Sequence, residues 1–250
     1  MIITIDPRFR GPAHSGNGGY CSGLAAAALG RPLGPAAVTL RTPPPLDTPL
    51  TVTREGDLVR VSDRETPVTL ASPHVPLTGK IPNVSWDEAN RATSGFPWRT
   101  NHPYPQCFVC GTDRQPGDGL RIFPGPVPGR PLAAAPWLPD RSVVTGDQVV
   151  RPEIAWAALD CPSLFGWACF HRWESPLLLG RFTAEIHRLP RRDEPCICVG
   201  WFLERDGRKH HTAAALTTAA GELLGTSRAT WIALRPEHPV TAEANEAAGR

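Results

Sequence analysis

Hydrophobic and polar positions sort the chain into two similar runs. The first starts at Asn17 with NGGYCSGLAAAAL, a small-residue helix over Asn17 to Leu29 that Gly30 can end. Its Gly and Ala face would let other backbone approach closely. Short alternating segments follow: AVTLRTP from Ala37, then LTVTREGDLVRVSD from Leu50, turning at Arg54-Glu55-Gly56-Asp57, then PVTLAS from Pro67. Alternation with period two reads as half-buried strand. The second run has an apolar helix near RPEIAWAALDCPSLFGWACF from Arg151, then LLLGRFTAEIHRLP from Leu177. CICVGWFLERDGRKHHTAAALTTAA follows from Cys196, turning at Arg205-Asp206-Gly207-Arg208, and ELLGTSRATWIAL closes it from Glu222.

Both runs read helix, strand, Gly-turned hairpin, strand, which predicts an α+β fold built from a repeated unit. A helix followed by an antiparallel sheet buries itself on one sheet face, and two such units can join edge to edge. From about Pro76 to Gln106 Pro, Asn, Ser and isolated Trp mix without period, too long for an ordinary loop within one unit. The expected division is therefore 1–95 for the first unit, 96–106 for a linker and 107–235 for the second. Residues 236–250 carry no apolar pattern and read as a loose tail.

Composition narrows the class. The 29 Pro and 23 Gly among 250 residues oppose a helical bundle, while 41% hydrophobic residues oppose disorder. The formal charge is only +2, far from the footprint that phosphate-backbone binding needs, so nucleic acid is not an expected partner. Of the 26 basic residues only Lys80 and Lys209 are lysine, which reads as codon bias. No stretch approaches the roughly 18 apolar residues of a membrane span, and MIITIDPRFRG lacks a signal-peptide pattern. The seven cysteines have no disulfide-framework spacing. The expectation is a cytoplasmic protein that does not engage a membrane, possible as a homodimer.

CFVCGTDRQPGDGLRIF from Cys107 and VRPEIAWAALD ending at Asp160 resemble the hotdog-fold acyl-thioester enzymes. In that superfamily a Cys-Phe-x-Cys-Gly, Pro, Gly-Leu opening commonly precedes the first strand. A His-Gly-Gly turn then enters the central helix, with an Asp or Glu seven residues after the second Gly. Here Arg151-Pro152-Glu153 stands at the turn and Asp160 stands seven after Glu153. In the first run Asn17-Gly18-Gly19 keeps the turn, followed by Tyr20, but the position seven later is Ala26. Each run keeps what the other lost. The resemblance implies a double hotdog, two fused units each wrapping a sheet around a central helix, with one composite site between them. It further implies hydrolysis of an acyl thioester of coenzyme A or a carrier protein. A non-catalytic acyl-thioester or lipid-binding module, and a hydratase or dehydratase, remain as alternatives.

Thioester hydrolysis requires a carboxylate that attacks the carbonyl or deprotonates water, and donors for the developing oxyanion. Asp160 supplies the first as the catalytic candidate. The helix start at Asn17, Gly18 and Gly19 supplies the second, since unpaired N–H groups and a positive dipole end gather there. An acid on an apolar helix should have a raised pKa unless hydrogen bonds oppose this, yet Asp160 could instead satisfy donors where Pro162 ends the helix. Glu153 lies on about the same face as Asp160, though after Pro152 it also suits the helix dipole. His14 is near enough to the turn for a polar contact with a carbonyl, or is a solvent-facing loop residue. Asn17 can cap its helix, touch substrate, or both. Trp156 lies within a turn of Asp160 and could line an acyl slot or belong to the packing with Trp137, Trp167, Trp173, Trp201 and Trp231.

Arg208, Lys209, His210 and His211, with Arg228, would suit coenzyme A phosphates, or form a polar hairpin end. Cys107-x-x-Cys110 has the shape of a zinc knuckle, and Cys196-x-Cys198 would offer two more thiols on one strand face. No second C-x-x-C exists, and the resembled family carries this opening without an obligatory metal, so neither metal nor cofactor is expected. A nucleophilic Cys161 would need a base and a depressed pKa.

Overall fold

The computed structural model describes residues 1–172, 175–238 and 240–241. Within them, the small-residue segment forms helix α1, Gly18–Ala28, and the second apolar segment forms helix α3, Pro152–Ala168. Between them lies α2, Trp86–Thr93, in the stretch that reads as irregular from sequence. The strands are β1 (Ile2–Ile3), β2 (Ala36–Leu40), β3 (Leu50–Glu55), β4 (Leu58–Asp63), β5 (Thr66–Pro73) and β6 (Gly125–Pro126). They continue as β7 (Leu132–Trp137), β8 (Leu177–Ile186), β9 (Cys196–Asp206), β10 (Lys209–Thr218) and β11 (Leu223–Ala233).

All of these join one 11-stranded sheet in the order β1-β3-β4-β5-β2-β8-β11-β10-β9-β7-β6, and every pairing is antiparallel. At its centre β2 pairs with β8, with Ala36 opposite Ala184 and Val38 opposite Phe182. Outward from this pair the order is mirrored: β5, β4, β3 on one side and β11, β10, β9 on the other. The hairpins turn where Gly56 and Gly207 adopt positive φ, 59° and 55°.

Helices α1 and α3 lie on one sheet face, in a core that includes Val38, Phe182, Trp156 and Phe165. Strand alternation sorts the opposite face. On β9, Cys196 and Cys198 face the central helices, while Ile197 and Val199 join Ala89 and Ala92 of α2 in a separate cluster. Pro162 does not end α3, which runs on to Ala168. Instead its carbonyl lies against Gly200 of β9, where an added Cβ would collide with it. Gly166 meets Trp201 in the same way, so α3 beds its backbone directly on β9.

Helix α2 starts with a capping box: the Ser85 hydroxyl accepts from the Glu88 N–H, and the Glu88 carboxylate accepts from the Ser85 N–H. In the segment expected as a linker, Phe96 and His102 are buried, with Phe96 against Phe165 at a ring distance of 4.9 Å. Within the expected tail, Val240 and Thr241 are buried, while 239 and 242–250 lie outside the described residues, as does Trp173. No helix among the described residues is long and apolar enough to cross a membrane.

The close seat of α3 on β9 predicts that Gly200→Ala destabilises the fold by about 1–3 kcal/mol through overpacking. Urea denaturation would measure this, and an unchanged midpoint would mean that α3 can move off β9.

Candidate functional site

Asn17 is the N-cap of α1. Its Oδ1 accepts from the Tyr20 N–H at 2.9 Å, while its Nδ2 donates to Oδ2 of Asp160 at 2.7 Å. The Gly19 N–H donates to the same oxygen at 2.8 Å. One side chain thus starts α1 and binds α1 to the acid of α3. This contact needs the two helices unusually close. A Cβ on Gly19 would lie 2.6 Å from the Asp160 Cβ and 2.9 Å from the Trp156 carbonyl oxygen, and one on Gly23 would lie 2.6 Å from the Glu153 Cα. Glycines one turn apart on α1 therefore face Glu153, Trp156 and Asp160 along one side of α3.

Asp160 is 1% exposed. Burial raises its pKa to about 7, and the Cys107 charge adds to this, while the Gly19 N–H and the Asn17 amide oppose the rise. Its second oxygen, Oδ1, is buried without a hydrogen-bond partner. The carbonyl of Asp160 accepts from the Ser163 hydroxyl at 2.7 Å, and Trp231 Nε1 on β11 donates to that hydroxyl oxygen at 3.0 Å. These bonds fix this turn of α3 against the sheet.

Asp160 lines a cavity of about 200 Å³ together with Asn17 and Gly18. Its other walls are mostly apolar, including Leu164, Leu177, Leu179 and Trp231, with Trp98 and Tyr104 from the segment after α2. Arg41, Thr42, Ser15 and His238 are among its polar lining residues. Apart from Trp231, which sequence reading assigned to packing, patterning did not single these out, because they come from six separated segments and share no spacing. Leu177 and Leu179, two apart on β8, carried the nearest signal as a strand face.

The remaining candidates separate from the cavity. His14 is exposed on the loop before α1 and does not line it. The Tyr20 ring is stacked on Phe9 at 4.1 Å, and burial raises its pKa. Glu153 lies in the first turn of α3, where it pairs with Arg151 at 3.6 Å, and does not line the cavity. Trp156 is fully buried, its Nε1 donating to the Pro32 carbonyl at 2.9 Å, and it packs in the core beside Phe182. His210 is buried against Trp167, and Arg228 donates to the Thr78 carbonyl, so these two do not form one open basic patch.

The thiols regroup. Cys161, next to Asp160, brings its sulfur to 3.8 Å from that of Cys107 and 3.4 Å from that of Cys110. Hydrogen bonds from Cys110 and Cys161 hold the Cys107 thiol well below its usual range, while Cys110 and Cys161 are pushed well above theirs. Cys161 therefore lacks the depressed pKa that a nucleophile needs.

Solved structures named as thioesterases share this fold over almost the whole chain. A thioesterase candidate from Novosphingobium aromaticivorans aligns with 94% of this chain and 95% of its own at 15% identity, with a TM-score of 0.61. The tesB protein of Mycobacterium avium subspecies paratuberculosis aligns with 94% of this chain and 92% of its own at 12% identity and TM-score 0.59. Acyl-CoA thioesterase II of Mycobacterium marinum aligns with 94% and 93% at 14% identity and TM-score 0.56. At these identities the likeness is one of fold. No protein-family model matches the chain, and no curated protein matches its sequence.

Because Gly19 sits in the α1–α3 crossing, Gly19→Ala should separate the helices, weaken the N–H bond to Asp160 and cost about 1–3 kcal/mol. Asn17→Ala should cost about 1 kcal/mol as a lost cap, and more because a buried carboxylate loses a donor. Thermal and urea unfolding read both. Two variants as stable as the parent would show that the helix contact is slack.

Proposed function

We propose that the chain hydrolyses an acyl thioester of coenzyme A or a carrier protein at this cavity, with Asp160 acting on water. The observation that carries the reading is the division of labour between the two oxygens of one buried carboxylate. Oδ2 is held by Gly19 and Asn17, whereas Oδ1 has no partner and its residue lines the cavity. A water bonded to Oδ1 would lose its proton to Asp160 as its oxygen attacks the thioester carbonyl. Collapse of the tetrahedral intermediate would break the carbon–sulfur bond, and the proton would pass from Asp160 to the departing thiolate.

The expected oxyanion donors are partly occupied. Gly19 N–H serves Asp160 and Tyr20 N–H serves Asn17, which leaves Gly18, the first residue of α1 and part of the cavity wall, to offer its N–H to the developing oxyanion. Apolar walls suit an acyl chain and keep the attacking water few in number. The thioesterase names of the structures that share this fold, one of them an acyl-CoA thioesterase, support the substrate class. His14 is exposed and does not line the cavity, which speaks against pairing it with Asp160 in a hydratase.

The same reading takes the chain as two hotdog units, 1–95 and 107–235, each contributing one part of the site. The mirrored strand order about β2–β8 supports this, as does the contact between the helix start of one unit and the acid of the other.

Asp160→Asn keeps size and removes the base, so turnover of acyl-CoA or acyl-carrier-protein thioesters should fall by about 10²–10⁴-fold with the fold retained. A free-thiol release assay on a panel of chain lengths, with circular dichroism as the folding control, makes the test. Unchanged turnover in the variant would remove Asp160 from the mechanism. Wild-type protein that binds the thioesters but releases no thiol from any of them would favour the non-catalytic binding module.

A further inference from the structure

We propose that Cys107, Cys110 and Cys161 form a site for one thiophilic divalent cation, zinc foremost, held by three thiolates with its fourth position open to the cavity. This goes beyond the hydrolytic reading and does not depend on it. The chain elements converge for a stated reason. Cys107 and Cys110 lie on a tight turn closed by the Gly111 N–H donating to the Cys107 carbonyl at 2.9 Å. A Cβ at Gly111 would lie 2.5 Å from both the Cys107 and Pro105 carbonyl oxygens, so this turn needs glycine. Cys161 meets the pair from α3.

The three sulfurs all lie within 4.8 Å of one another, with contacts of 3.4 and 3.8 Å. A tetrahedral ion with zinc–sulfur bonds of about 2.3 Å requires its thiolates about 3.8 Å apart, so little movement separates this triangle from a ligand set. A disulfide needs its sulfurs at about 2.05 Å, which would demand a larger shift and leave the third thiol unused. Each of the three residues is at most 5% exposed yet lines the cavity, so an ion would enter from there and find its fourth ligand, a water, on that side. Soft thiolate donors in a site without protein oxygen ligands select zinc or cadmium over magnesium or calcium. Binding would release the protons of those thiols still protonated.

The four-ligand set conceivable from sequence does not form. Cys196 and Cys198 stay on β9 and join no group of three ligand-type side chains among the described residues. Cys161 takes their place, a partner that no spacing could announce because it lies 51 residues beyond Cys110. His102 sits within reach of the Cys107 charge. Its Nδ1 accepts from the Tyr104 N–H, which puts the ring proton on Nε2, toward the Cys107–Cys110 turn.

The test uses full-length protein, reduced and stripped by a chelator under argon, then titrated with zinc or cobalt(II). The expected results are one zinc per chain by mass spectrometric metal analysis, an intense cobalt–thiolate charge-transfer band, and a raised melting temperature, since the ion ties the turn to α3. Cys110→Ser and Cys161→Ser should each weaken zinc binding at least about 10-fold, while Cys169→Ser, outside the cluster, should bind as the parent does. If a serine variant fails to fold, the cobalt spectrum of the parent decides alone. No stoichiometric zinc and no charge-transfer band in the parent would overturn the proposal, as would equal affinity in a folded Cys161→Ser. Metal content and thioester turnover are separate readouts, so either reading can fail without the other.

Discussion

Gly19 and Gly23 stand where α1 crosses α3, and the separation of those helices is set by the side chains that are missing there. The bonds that α1 makes to Asp160 cannot form without that approach. With the backbones in contact, the start of α1 delivers the Gly19 N–H and the Asn17 amide to an acid that would otherwise be buried without a donor. Burying a carboxylate without such bonds is costly, so the acid and the glycines require each other. The sheet fixes the arrangement from outside, through Gly200 beneath Pro162 and through Trp231 on Ser163.

This packing also explains the chemistry that Asp160 can offer. A fully solvated carboxylate is a weak base near neutrality, and one saturated with donors is weaker still. Here one oxygen takes both donors and the other takes none, while burial lifts the pKa to about 7. That is the range in which a base is both ionised and effective. The three thiols in the same lining make the middle of α3 dense in chemistry, with Asp160 and Cys161 adjacent in sequence.

Much of this was legible in the residues. The small-residue helix announced a close approach, and Asn17-Gly18-Gly19 announced its start. Alternation located the two long hairpins, and the resemblance to the hotdog acyl-thioester enzymes singled out Asp160. What escaped had physical reasons. Helix α2 carries only eight residues, with Ala89 and Ala92 as its buried face, too little apolar surface to show a period, although its Ser85 and Glu88 capping pair was readable. Strand β7, LAAAPW, lacks β-branched residues and contains Pro136, so propensity argued against it; pairing with β9 overrides propensity. The continuation of α3 past Pro162 was read as a break because a proline removes a helix N–H, yet packing on β9 holds the helix together. His14 and Trp156 do not line the cavity, since a loop turned one outward and the indole of the other packs in the core against Pro32 and Phe182.

The central claim is that the α1–α3 contact buries Asp160, which lines the cavity, and leaves one of its oxygens without a hydrogen-bond partner. Its most direct test is a carboxyl carbon-13 NMR titration of the chelator-treated protein, with Asp160→Asn identifying the resonance. The account predicts a midpoint at about 7. A midpoint near the ordinary aspartate value, about 3.9, would contradict it.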